Sequence, residues 1–161
     1  MTDFEGVLHA LAAQQVEFIL IGGMAAIVHG STRVTEDLDI VYRRTPDNLQ
    51  RLVAAIEPQK PYLRGVPPGL PFDWSPATLR MGLNFTLTTR LGDLDLLGEI
   101  PGGNYEELID HTIEIELFGV TCRCLDSPTL IRVKRAAGRP KDLETAAELQ
   151  AFARARQPRG T

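Results

Sequence analysis

The stretch from Val16 to Tyr42 constrains the fold more than any other part of the chain. Val16–Ile21 is a short apolar run that reads as a buried strand, and Gly22 and Gly23 close it. The chain then carries T-E-D-L-D-I, with 13 residues between Gly23 and the first of two aspartates separated by one leucine. Side chains at i and i+2 of a strand share a face, so Asp37 and Asp39 stand side by side while Leu38 and Ile40 turn inward. Two carboxylates that close repel each other, and an otherwise apolar strand is destabilised by them unless a cation offsets the cost. Hard divalent cations such as Mg²⁺ take oxygen ligands and bridge carboxylates to phosphates. A phosphoryl- or nucleotidyl-transfer site needs that arrangement.

A second segment, Leu91-Gly92-Asp93-Leu94-Asp95-Leu96-Leu97, repeats the pattern. Asp95, flanked by leucines, is the candidate third carboxylate; Asp93 lies on the same face nearer the turn and is its alternative. Three converging acids can hold two metals, one activating the attacking oxygen and one steadying a triphosphate and its leaving pyrophosphate. Gly22-Gly23 lies between a strand and a helix, where backbone N–H groups favour an anion and glycine admits a close phosphate. The turn is neither G-x-x-x-x-G-K-[ST] nor G-x-G-x-x-G, so it is no P-loop and lacks the dinucleotide fingerprint.

The remaining pattern predicts one domain: a core over 1–126 and a helical segment over 127–161. Phe4, Val7, Leu8, Leu11 and Ala12 recur at helical spacing. Met24–His29 reads as a short helix, and Pro46 opens another that buries Leu49, Leu52, Val53 and Ile56. Residues 58–76 hold six of the 11 prolines and read as a surface excursion beside the site. Paired strands are expected at Leu83–Thr89 and Leu91–Ile100, a short helix at Tyr105–Asp110, and a hairpin across Gly119. Ser127 is the expected N-cap of a helix with Pro128 at its first position; Gly138 stops it and Pro140 starts the last helix.

Composition narrows the setting. No apolar run of about 18 residues is present, so no membrane span is expected. The acidic, amphipathic start MTDFEGVLHALAAQQ lacks a secretory signal. Cys122 and Cys124 read as buried thiols, and a cytoplasmic location is expected. Net charge is −4, yet residues 132–161 carry eight Lys/Arg against three Asp/Glu, leaving −9 for the rest. That basic segment suits phosphates or RNA, whereas its R-A-R-Q-P-R-G end reads as a frayed, solvated tail. Arg33 can reach a phosphate or pair with Glu36. Lys134 can contact substrate or snorkel from a packed face. Arg139 and Asp142 are expected to pair across the two helices. Tyr62 and Trp74 can stack on a base or cover the core. The three histidines lack metal-cluster spacing.

The diglycine, the 13-residue gap, the D-L-D-I strand and the later Leu94-Asp95-Leu96 resemble the DNA polymerase beta-type nucleotidyltransferase superfamily, in its small bacterial branch. His29–Ile40 is similar to the stretch leading into that family's metal strand, and Leu130–Leu143 resembles the Lys…Arg-x-x-Asp helix pair of AbiEii-like nucleotidyltransferase toxins. The resemblance covers about residues 16–150. It implies an α/β (α+β) nucleotidyltransferase fold: a small mixed sheet flanked by helices, with a C-terminal helical pair. Gly22 and Gly23 would line the triphosphate, with Arg33 and Lys134 as further nucleotide contacts. Asp37, Asp39 and Asp95 would hold Mg²⁺ (or Mn²⁺), and Asp95 would stand near the acceptor, as base. Many members carry serine where Gly23 stands, so that contact falls here to backbone N–H or to Ser31. The final acid of the D-x-x-D-L style is missing after Asp142. The implied reaction moves a nucleoside monophosphate from a nucleoside triphosphate (NTP, ATP among them) to a hydroxyl of tRNA or protein, in a toxin–antitoxin or defence pair with a cognate partner. An antibiotic-modifying transferase and a non-catalytic, partner-binding form of the fold are the alternatives. A metal-dependent glycosyltransferase also uses D-x-D, but about 160 residues is short for it.

Overall fold

The computed structural model describes residues 1–156. Nine strands, β1 (Phe18–Ile21), β2 (Asp37–Tyr42), β3 (Tyr62–Leu63), β4 (Asn84–Thr89), β5 (Gly92–Leu97), β6 (Glu99–Ile100), β7 (Gly103–Asn104), β8 (Thr112–Leu117) and β9 (Val120–Leu125), alternate with seven helices. The helices are α1 (Phe4–Ala13), α2 (Gly22–Val28), α3 (Pro46–Ile56), α4 (Pro76–Met81), α5 (Tyr105–Leu108), α6 (Ser127–Ala137) and α7 (Pro140–Arg156).

Seven strands form one mixed sheet in the order β3-β4-β5-β2-β1-β9-β8, and β6 and β7 pair separately. The β2/β5 and β1/β9 pairs are parallel, the others antiparallel. Alternation along β2 and β5 sorts the side chains: Leu38, Ile40, Leu94 and Leu96 are fully buried, whereas Asp37, Asp39, Asp93 and Asp95 keep partial exposure. The apolar stripe of α1 (Val7, Leu8, Leu11) and that of α3 (Leu49, Leu52, Val53, Ile56) enter the same core. Asn48 is the buried polar member of α3; its side chain accepts from Glu17 N at 2.7 Å and donates to the Glu17 and Arg43 carbonyls at 2.9 and 2.7 Å. Buried amides are tolerated when so matched.

Several expectations need correction. Asp126, not Ser127, caps α6, accepting from Thr129 N at 2.9 Å. Leu91–Ile100 is not one strand, because Gly98 separates β5 from β6. The proline-rich excursion contains β3 and ends where α4 begins, and its aromatics are structural. Trp74 donates to Val53 O at 3.0 Å, and the Tyr62 hydroxyl lies 2.8 and 3.0 Å from the carbonyls of Pro67 and Leu70. Arg154 and Arg156 are not frayed: both lie in the last turn of α7, and Arg156 donates to His29 O at 3.1 Å. The rest of that expected tail, residues 157–161, lies outside the described residues. Cys122 and Cys124 are free and buried. No helix among the described residues is long and apolar enough to cross a membrane.

Candidate active site

Strand register brings the acids together. The parallel β2/β5 pairing sets Asp37 opposite Asp93 and Asp39 opposite Asp95, and paired residues share a face. Oxygens of Asp37, Asp39 and Asp95 all lie within 4.8 Å of one another. Asp93 stays in the neighbouring row.

The diglycine is needed for sterics beside those acids. Gly22 begins α2 with φ +67°, a left-handed conformation that side chains rarely adopt, and a Cβ there would fall 2.1 Å from Asp39 Oδ2. At Gly23 a Cβ would fall 2.5 Å from Thr35 Oγ1 and 2.8 Å from Thr35 Cβ. Thr35 thus fills the room that a side chain at position 23 would use, and its hydroxyl donates to Asp37 O at 3.2 Å. Only glycine lets the start of α2 approach the carboxylates this closely.

Packing like charges in one half-buried place shifts their protonation. The Asp39 carboxyl is pushed up to about 8, first by burial, then by its hydrogen bond with Asp95 and the charges of Asp37 and Asp95; Lys134 pulls the other way. Asp95 is also raised, chiefly by burial, with its hydrogen bond to Asp39 and the charge of Arg64 opposing. The cluster is therefore short of positive charge, and Asp39 keeps its proton at neutral pH in compensation.

Opposite this acidic floor, α6 and α7 supply a cationic wall across an open cleft of about 350 Å³. Lys134, Arg139 and Lys141 line it, with Asp142 at their centre. Asp142 is 1% exposed; Arg139 Nε donates to it at 2.6 Å and Lys134 Nζ lies 3.5 Å away. Burial opposes its charge, yet Arg139 and Lys134 outweigh that and hold its carboxyl below the usual range. Arg139 precedes Pro140, so its pair ties the connector to the start of α7; Lys134 makes the bridge between the helices that Arg139 was expected to make. Lys134 is thus neither a snorkelling lysine nor a free one: it faces the cleft with its ammonium anchored. Lys141 makes no ion pair among the described residues.

Ser31 and Arg33 reach the cleft on the loop before β2, and α7 restrains both. The Ser31 hydroxyl donates to Glu148 Oε1 at 2.6 Å, so its proton is committed to protein rather than free for a phosphate. Arg33 pairs with Glu144 at 2.9 Å, not with Glu36. His29 Nε2 lies 2.7 Å from Leu125 O in a buried, structural contact.

Arg64 has no role in the sequence reading, yet it reaches the acids from the end of β3. Its nitrogens lie 2.9 Å from Asp95, 3.4 Å from Asp93 and 3.9 Å from Asp37. Arg64 follows a strand of only two residues, Tyr62–Leu63, set among prolines, which leaves no periodic signal to read. Lys141, inside the Leu130–Leu143 segment, and Thr35 were legible as residues but not as neighbours of the site.

The donor set fits a hard divalent cation. Three carboxylates converge, burial pushes the carboxyls of Asp39 and Asp95 upward, and the Cβ-free Gly22 leaves room for Asp39 against the chain. Carboxylate oxygens suit Mg²⁺ or Mn²⁺.

No family model matches the sequence, and no curated protein matches it. Solved structures do. The lincomycin-bound lincosamide antibiotic adenylyltransferase LnuA superposes with a TM-score of 0.63 at 17% identity, over 94% of this chain and 98% of that one. The fold is that of nucleotidyltransferases. An antigenic nucleotidyltransferase-like protein from Paracoccidioides brasiliensis superposes with a TM-score of 0.53 at 16% identity, over 98% of this chain and 79% of that one. These likenesses carry the nucleotidyltransferase fold and no particular branch within it, the AbiEii-like toxins included.

Proposed function

We propose that the protein is a Mg²⁺-dependent nucleotidyltransferase that moves a nucleoside monophosphate from an NTP to a hydroxyl of a small molecule. The observation that carries this reading is the single cleft in which three carboxylates face Lys134, Arg139 and Lys141. Anionic floor and cationic wall together suit a triphosphate that arrives with a divalent cation. Asp37, Asp39 and Asp95 would hold the metal, whose contribution is Lewis-acid stabilisation of charge on the phosphates.

The chain's own groups account for the rest. Lys141, which makes no ion pair among the described residues, and Lys134 and Arg139, oriented by Asp142, bind the phosphates. Gly22 and Gly23 keep side chains out of their path. The acceptor oxygen attacks the α-phosphorus, the bond from that phosphorus to the bridging oxygen breaks, and pyrophosphate leaves. Asp95, its basicity raised by burial, takes the hydroxyl proton. Positioning and electrostatics supply the acceleration.

Two observations support a small acceptor. Beyond Asp95 the rim carries Glu36 and Asp93 beside Arg64, and extra carboxylates disfavour a polyanion. The antibiotic adenylyltransferase covers the same length of chain and is described with lincomycin bound, so an antibiotic-like hydroxyl compound is the first candidate. A polymeric acceptor, tRNA or a protein within a toxin–antitoxin or defence pair, has one observation in its favour: Arg132 and Arg135 are exposed on α6.

The test is incubation with each α-³²P-labelled NTP and Mg²⁺, together with lincomycin, total tRNA or a protein extract. Label on a small hydroxyl compound supports the first reading, and label on RNA or polypeptide moves the assignment to the second. No label on any acceptor, with NTP binding indifferent to Mg²⁺ by calorimetry, would return the chain to a non-catalytic binding role.

A further inference from the structure

We propose that Arg64 stands in for one of two metals, so that the loaded site holds a single divalent cation and a guanidinium supplies the positive charge on the Asp95 side. This rests on the nucleotidyl-transfer reading and departs from the two-metal expectation that three acids raise.

Arg64 touches every acid on the outer side of the cluster. Nη2 lies 2.9 Å from Asp95 Oδ1, Nε 3.4 Å from Asp93 Oδ1, and Nη1 3.9 Å from Asp37 Oδ2. One planar group thus spans both acid-bearing strands, which an ammonium could not do with the same fork. The side chain is also fixed. Its backbone N–H donates to Thr86 O at 3.0 Å, continuing the β3/β4 ladder, and Nη2 donates to Leu87 O at 2.6 Å. Tyr62 pins the following loop through Pro67 and Leu70. Swinging Arg64 away therefore means giving up hydrogen bonds to the sheet, so its charge is built into the site.

Arg64 Nε and Asp95 Oδ1 are buried and make no hydrogen bond of proper geometry. The two groups are held by charge at ion-pair distance, and Asp95 Oδ1 keeps its lone pairs. Mg²⁺ binds carboxylate oxygen at about 2.0–2.1 Å, so a metal on that atom would sit within about 5 Å of Nη2. A divalent cation there meets a guanidinium that cannot lose its proton. Asp37, at 3.9 Å, is the farthest of the three acids that Arg64 meets, and Asp39 is not among them, so a cation travelling with the triphosphate is favoured on the Asp37/Asp39 side.

The experiment counts Mn²⁺ bound per chain by electron paramagnetic resonance, on the full protein with a non-hydrolysable α,β-methylene NTP analogue. One Mn²⁺ is expected for the wild type, two for Arg64→Gln and one for Arg64→Lys, which keeps a charge. A purely structural arginine would not change the count. Two Mn²⁺ in the wild type, or one in a folded Arg64→Gln, overturns the proposal while leaving nucleotidyl transfer intact. No Mn²⁺ in the wild type with analogue bound overturns both. If Arg64→Gln fails to fold, Arg64→Met, which keeps the apolar stem and removes the charge, takes its place, with two Mn²⁺ expected and one overturning the proposal.

Discussion

The two sides of the cleft are built differently. The acidic floor is set by backbone: β2/β5 register aligns Asp39 with Asp95, and glycine at 22 lets the start of α2 close on them. The cationic wall is set by side chains: Lys134 and Arg139 converge on one buried carboxylate, Asp142, across a helix–helix contact. The floor concentrates like charge at a cost in stability, whereas the wall sets its cations around one carboxylate that orients two of them. A backbone-built cluster with unresolved negative charge suits binding a cation, and a wall that stays net positive suits presenting donors to an anionic ligand. The two sides should therefore respond oppositely to the same kind of substitution.

The largest contrast is expected at Asp39. Asp39→Asn should lower transfer by roughly 10³-fold or more, because several kcal/mol of metal stabilisation is lost. The same change should raise the melting temperature of the metal-free protein at neutral pH, since folding no longer has to hold a proton on a carboxyl that the unfolded chain leaves ionised. Loss of activity together with loss of stability would mean that the floor is a structural network like the wall.

Next is Gly22→Ala. The left-handed backbone alone costs roughly 1–3 kcal/mol, and the added Cβ would meet Asp39 Oδ2 at 2.1 Å. Denaturant unfolding should show the loss, and Mn²⁺ titration should show weakened binding. Asp142→Asn should do the reverse of Asp39→Asn, destabilising by about 1–3 kcal/mol; this lies below the usual range for a broken buried pair because Arg139 is 63% exposed. Chemical denaturation of both variants side by side sharpens the contrast.

A pH effect of moderate size follows from Asp39. Its carboxyl titrates near 8 in the folded chain against 3.8 ordinarily, so the folded state holds a proton that the unfolded state has lost. Stability of the metal-free protein is then full below about pH 4 and declines as pH rises toward 8. Mg²⁺ binding must expel that proton, so apparent metal affinity should climb over the same interval and Mg²⁺ should cancel the decline. Melting curves at pH 6 and 8, with and without Mg²⁺, check both signs. The smallest effect is expected from Lys141→Ala, with KM for NTP raised by about tenfold, kcat nearly unchanged and Mn²⁺ binding intact.

The same difference explains how much could be read in the sequence. Asp37, Asp39 and Asp95 declare themselves by i, i+2 alternation in apolar strands, and period-2 logic needs no tertiary knowledge. Gly22 and Gly23 were visible as a turn, but that Gly22 yields to Asp39 and Gly23 to Thr35 depends on contacts across the fold. Arg64 could not be found by pattern, because a two-residue strand amid prolines gives no periodicity. Ser31 and Arg33 were read for phosphate, whereas Glu148 and Glu144, more than 100 residues later, hold them. The nucleotidyltransferase fold itself was legible because its strands carry the acids; partners of long side chains were not.

The most direct test of the account is diffraction from crystals grown with Mn²⁺ and the α,β-methylene analogue, recorded at the manganese absorption edge. An anomalous peak about 2.0–2.3 Å from carboxylate oxygens of Asp37 and Asp39, with analogue phosphates beside Lys141, is the predicted result. Ordered analogue with no manganese on those two carboxylates would contradict the account.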